Sequence, residues 1–134
     1  MSRLLTTQKI LQLVCCMSVC LIFSASTLAQ EVVELKLPSS NKVVIKLMFR
    51  NGSISDAPGE EGINQATSSL VVQGGTRELS FSDIQDRIYP MAAQYGASSD
   101  KEVTVFTFEV HQDFLDEFYP IIKGLILTPR FAEE

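Results

Sequence analysis

Residues 58–76 read P-G-E-E-G-I-N-Q-A-T-S-S-L-V-V-Q-G-G-T, and the fold of the chain turns on them. Pro58-Gly59 is a turn signal, and Glu60 and Glu61 put negative charge where a helix begins. Gly74-Gly75 stand where that helix stops. Between these marks Ile63, Ala66, Leu70 and Val71 fall at helical spacing, so the spacing predicts one short helix with that stripe turned inward.

On the N-terminal side, Lys42–Phe49 (K-V-V-I-K-L-M-F) alternates. Val43, Ile45, Leu47 and Phe49 lie on one face and Lys42, Val44, Lys46 and Met48 on the other, which predicts a strand covered on one side only. Glu31–Leu37 (E-V-V-E-L-K-L) is read as a further strand, joined to it by the turn Pro38–Asn41. Arg50–Ser53 turns the chain again, and residues 55–62 are loop.

On the C-terminal side, Ser80 and Asp83 have the spacing of a capping box and open a second helix. Its stripe is Phe81, Ile84, Ile88, Met91 and Tyr95, with Gly96 as its end. Pro90 inside it removes the bond to the Asp86 carbonyl and should kink or shorten it. Ala97–Ser99 reads as a short strand and Asp100-Lys101 as a tight turn. Glu102–Val110 is a strand by strict alternation, with Phe106 and Phe108 expected to face the helices. His111–Leu127 reads as the last helix, interrupted by Pro120 and stopped by Thr128-Pro129. The expected architecture is α+β, a two-layer sandwich of antiparallel sheet with helices on one face, in the order ββααββα.

At 134 residues this is at most one modest domain. The first 29 residues differ from the rest. Arg3 and Lys9 are their only charges, an apolar run from Ile10 to Phe23 follows, and small residues lead to Ala29. That is the pattern of a secretory signal peptide cleaved after Ala29, leaving residues 30–134 periplasmic or secreted, with no stable membrane anchor. Without Arg3 and Lys9, nine basic side chains face sixteen acids, a net charge of −7. Such a balance argues against nucleic-acid binding, which needs clustered Lys and Arg. Cys15, Cys16 and Cys20 all lie in the signal, and Val14 and Val19 before them argue against lipidation, so the mature part is held by its core without disulfides.

Several pieces occur here in a telling order: R-N-G-S (Arg50–Ser53), P-G-E-E-G-I (Pro58–Ile63), G-G-T (Gly74–Thr76) and L-T-P-R-F (Leu127–Phe131). In that order and spacing the chain resembles the insulinase/pitrilysin-type metallopeptidases, a group that includes the two subunits of the mitochondrial processing peptidase. Active members of that family carry H-x-x-E-H on the first helix, where two imidazoles bind zinc and the Glu handles the proton of the metal-bound water. Counted from Gly62, the three motif positions fall on Gln65, Ser68 and Ser69, none of them a zinc ligand. The expectation is no metal and no catalytic residue.

His111, the only histidine, with Asp113 and Glu117 does not make a metal site by spacing, since a site needs three converging ligands. Asp113, Asp116 and Glu117 read as a solvated helix start. Ser68-Ser69 lack a base partner and read as helix-surface serines.

The resemblance implies a noncatalytic domain that binds peptide along an edge strand at Tyr95, Gly96, Ala97, Ser98, Ser99 and Asp100. The implied partner is an active metallopeptidase subunit or another half-domain. The alternative reading is a truncated piece of a zinc metallopeptidase-family protein with no activity of its own.

Overall fold

The computed structural model describes residues 30–131; the expected export signal, residues 1–29, lies outside the described residues. The chain divides into two units at Lys36/Leu37, and all regular structure described belongs to the second. Its elements are β1 (Lys42–Phe49), α1 (Ile63–Gln73), α2 (Phe81–Ile88), β2 (Gln94–Ser99), β3 (Thr104–His111) and α3 (Leu115–Leu127). Single 3-10 turns occupy Ser53–Ser55, Tyr89–Met91 and Gln112–Phe114.

The three strands form an antiparallel sheet in the order β1-β3-β2. Alternation sets its faces. Thr104, Phe106, Phe108 and Val110 of β3 are buried, while Val105, Thr107 and Glu109 between them are half-exposed. Register carries the buried row across the sheet. Ile45 and Tyr95 flank Phe108, and Leu47 and Ala97 flank Phe106. The three helices cover this face with Val72 of α1, Ile84 and Ile88 of α2, and Phe118, Ile121, Ile122 and Leu125 of α3. Phe108, Phe118, Ile84 and Leu125 are the largest fully buried side chains, each adding roughly 1.5–3 kcal/mol by burial. The two-layer α+β arrangement is the one expected.

Several local expectations are corrected. Glu31–Leu37 forms no strand. Val32, Val33 and Leu35 are each about 80% exposed, and β-branched residues become a strand only where ladder bonds and burial hold them. Leu37 instead closes a turn, its carbonyl accepting the Ser40 N–H at 3.0 Å.

The second helix is shorter than its stripe. Pro90 stops α2, Tyr89–Met91 tightens to a 3-10 turn, and Ala92 takes a left-handed φ of 49° that redirects the chain into β2. Tyr95 and Gly96 therefore lie in β2, and the buried residues of the helix are Ile84 and Ile88, continued by Met91 in the 3-10 turn, without Phe81, which is exposed.

The last helix begins at Leu115, because His111 ends β3 and its Nδ1 accepts the Asp113 N–H at 3.3 Å. Pro120 does not interrupt it. The proline sits in the second turn, where the bond it forgoes is to Asp116, an exposed residue that water can satisfy. Ser80 and Asp83 make the expected capping box.

Candidate functional site

Helix α1 is held at both ends by groups outside it. At its start the Asp56 carboxylate accepts the Gly62 N–H at 2.7 Å, the Asn64 N–H at 3.3 Å and the Asn64 side-chain amide. These are the donors that a helix start leaves unpaired, so Asp56 caps the helix from the preceding loop. Lost hydration pushes its carboxyl up, but the bonds from Gly62 and Asn64 outweigh that and hold it below the ordinary carboxylate value.

Asn64 also donates to the Gly52 carbonyl at 3.1 Å and accepts from Asn51 Nδ2 at 3.0 Å. Gly52 is required there, since a Cβ would lie 2.2 Å from the Asp100 carbonyl oxygen. The Asn51 carbonyl in turn accepts from Thr104 Oγ1 at 2.7 Å, and that hydroxyl meets Ser99 Oγ at 3.1 Å. A chain of polar contacts thus runs from the start of α1 to the end of β2.

At the other end of α1 the Gly74 N–H bonds to the Leu70 carbonyl at 2.7 Å. Thr76 then clasps the exit of α3. Thr76 pairs with Pro129 in a β-bridge, Arg130 N–H donates to the Gly75 carbonyl at 3.0 Å, and Arg77 N–H donates to Thr128 at 3.1 Å. Gly74 permits this approach, because a Cβ there would lie 2.2 Å from the Arg130 carbonyl oxygen. Two of the quoted sequence pieces, G-G-T and L-T-P-R-F, are therefore the two sides of one clasp.

The middle of α1 departs from expectation. Ile63, Ala66 and Leu70 point outward, with Ile63 and Leu70 about half exposed, while Ser68 and Val72 are buried. The clamp on Asn64 sets the rotation. With Asn64 turned to the loop, Ser68 and Val72 follow on the inner side at intervals of four. Ser68 tolerates burial because its hydroxyl donates to the Gln65 carbonyl at 2.9 Å. Of the three motif positions, Gln65 is an exposed amide, Ser68 a buried and bonded hydroxyl, and Ser69 a half-buried one.

Among the described residues no three His, Cys, Asp or Glu side chains converge. His111 Nδ1 lies 3.4 Å from Asp113 Oδ2 at the sheet end, with both side chains largely solvated. No helix among the described residues is long and apolar enough to cross a membrane.

The stretch Tyr95–Asp100 divides. Tyr95–Ser99 lies in β2, an edge strand of the described sheet, and Asp100 lies in the turn beyond it. Asp100 N–H donates to the Val103 carbonyl at 2.9 Å. Antiparallel alternation from that pair makes Ser98–Val105 and Gly96–Thr107 the hydrogen-bonded pairs, and turns the N–H and C=O groups of Tyr95, Ala97 and Ser99 to the open edge. Helix α1 packs mainly against this strand. The Tyr95 hydroxyl accepts from Gln85 Nε2 at 3.1 Å, and partial burial raises its pKa more than that bond lowers it.

The Asp56–Asn64–Asn51 clamp escaped the sequence reading. Its signal was a carboxylate in the loop six residues before Gly62, which only the loop path makes a cap.

The insulinase family (peptidase family M16) matches the chain over residues 31–134. A protein of Rickettsia bellii described as an uncharacterized zinc protease is 28% identical over 98 residues, covering 73% of this chain and 24% of that protein. A solved structure of a protease from Helicobacter pylori superimposes with a TM-score of 0.62 at 15% identity, over 70% of this chain and 22% of its own. That likeness is one of fold. The chain spans about a quarter of the length of each of these proteins.

Proposed function

The chain belongs to the insulinase family of peptidases, and on that premise we propose that it is a noncatalytic member, which binds extended peptide at β2 or serves as the partner half of an active metallopeptidase subunit. The observation that carries this reading is the contrast within α1. Its surroundings hold it firmly beside an edge strand, yet its motif positions are Gln65, Ser68 and Ser69.

The zinc implied by the relative's description does not fit these donors. A neutral amide and two hydroxyls offer neither imidazole nor carboxylate, and the Ser68 hydroxyl is already turned to the Gln65 carbonyl. No step is routed through a metal on this chain. What the residues supply is a binding surface. The N–H and C=O groups of Tyr95, Ala97 and Ser99, unpaired among the described residues, can each pair with an incoming strand, which is a general mode of peptide capture. Export of residues 30–134 after removal of residues 1–29 belongs to the same reading. It predicts a mature N-terminus at Gln30 by mass spectrometry of the secreted form.

Hydrogen exchange with a saturating extended peptide tests the binding role, and gel filtration with a co-exported H-x-x-E-H protein tests the partner role. The reading expects slowed exchange at Tyr95–Ser99 or co-elution. Unchanged exchange together with no co-elution overturns it. A second reading, in which these residues act only within a longer family polypeptide, is favoured by the quarter-length overlap with both relatives. It predicts no cooperative melting transition for the 134-residue chain alone.

A further inference from the structure

The described sheet has a second open edge, β1, whose chemistry differs from that of β2. On its outer face Lys42 is bonded to Glu109, whereas Lys46, four residues on, makes no ion pair among the described residues. At the C-terminal end of β1 a cleft of about 220 Å³ opens between the sheet and α1. Its floor is Phe49, Val71, Phe106 and Ile126, with Asn51 and Thr67 among its polar walls, and no charged side chain lines it. Phe49 is nearly half exposed.

We propose that β1 is the docking edge for a strand of a partner polypeptide, one that carries an acid opposite Lys46 and an uncharged apolar side chain seated in this cleft. This extends the partner reading above to a surface separate from β2. Along an added antiparallel strand the residue opposite Phe49 and the residue opposite Lys46 are three apart. They project to opposite faces, the first over the cleft and the second toward the exposed lysine. Charge selects the occupant. A second copy pairing its own β1 here would offer Lys46 a strand that has no acid in it (K-V-V-I-K-L-M-F), only a further unpaired lysine, which discourages self-pairing. An acid-bearing strand meets the opposite situation and gains a cross-strand ion pair with Lys46.

The probe is the synthetic peptide acetyl-Thr-Leu-Thr-Val-Glu-Val-Thr-amide, with a second peptide carrying Lys in place of Glu, titrated into ¹⁵N-labelled full chain. The proposal expects shifts at Val43–Phe49 and around the cleft at Asn51, Thr67 and Val71, with the Glu peptide preferred over the Lys peptide. Lys46→Glu should weaken the Glu peptide about fivefold and reverse the preference. Thr67→Trp, which narrows the cleft, should weaken both peptides, while melting curves check that each variant remains folded. Shifts confined to Tyr95–Ser99 would overturn this proposal and leave the β2 reading standing. So would a preference insensitive to Lys46→Glu, the absence of any shift, or a chain that dimerises through β1 by itself in sedimentation.

Discussion

The ends of α1 and its middle follow different rules. At the ends, small and polar residues are fixed by what lies opposite them: Asn64 by Asp56, Gly52 and Asn51, and Gly74 by the Arg130 carbonyl. In the middle, Gln65 is exposed and Ser69 half-buried, and neither side chain makes a hydrogen bond among the described residues that would fix the helix in place. The comparison teaches that the frame of this helix and its chemistry are separable. Contacts at its two ends fix the position of this helix while its middle carries an amide and two hydroxyls, Gln65, Ser68 and Ser69.

The largest effect on stability is expected at the clasp. Gly74→Val places a side chain against the Arg130 carbonyl and should destabilise the chain by about 3 kcal/mol, read as a fall in denaturation midpoint. Next comes the clamp. Asn64→Ala removes one side chain that serves Gly52, Asp56 and Asn51 together, and should lose about 2 kcal/mol by the same measurement.

Acid offers a graded version of this test. Asp56 is held below its ordinary value of 3.8 by the Gly62 and Asn64 bonds, which outweigh its desolvation. Asp83 is held below it by bonds from the Ser80 hydroxyl and N–H. Carboxyls lowered in the folded state bind fewer protons there than in the unfolded chain. Their contribution is therefore complete above about pH 5 and is lost as pH falls through and below the ordinary value. Melting temperature should drop over that acid range, and the drop should be shallower in Asp56→Asn. The smallest effect is expected in the middle of α1, where Gln65→Ala and Ser69→Ala should each change stability by no more than about 0.5 kcal/mol.

Much of this frame could be read from residue order. The β1 and β3 alternations, the Ser80/Asp83 box and the end of α3 at Thr128-Pro129 are local signals, and local signals survive into the fold. The assignment of Gln65, Ser68 and Ser69 to motif positions rests on counting from Gly62, which uses residue order alone. What was not legible is which way α1 faces. Hydrophobicity alone turns Ile63, Ala66 and Leu70 inward, whereas the Asn64 clamp turns them out and buries Ser68. The strand expected at Glu31–Leu37 failed for a related reason. Its composition suits a sheet, but composition supplies no partner, and Val32, Val33 and Leu35 remain solvated.

If α1 is, as proposed, a framed packing element without metal chemistry, Zn²⁺ titration of the purified wild-type chain beside Gln65→Ala will show it. The expected result is less than one zinc bound per chain at micromolar metal and identical isotherms for the two proteins. One zinc per wild-type chain, lost in Gln65→Ala, would contradict it.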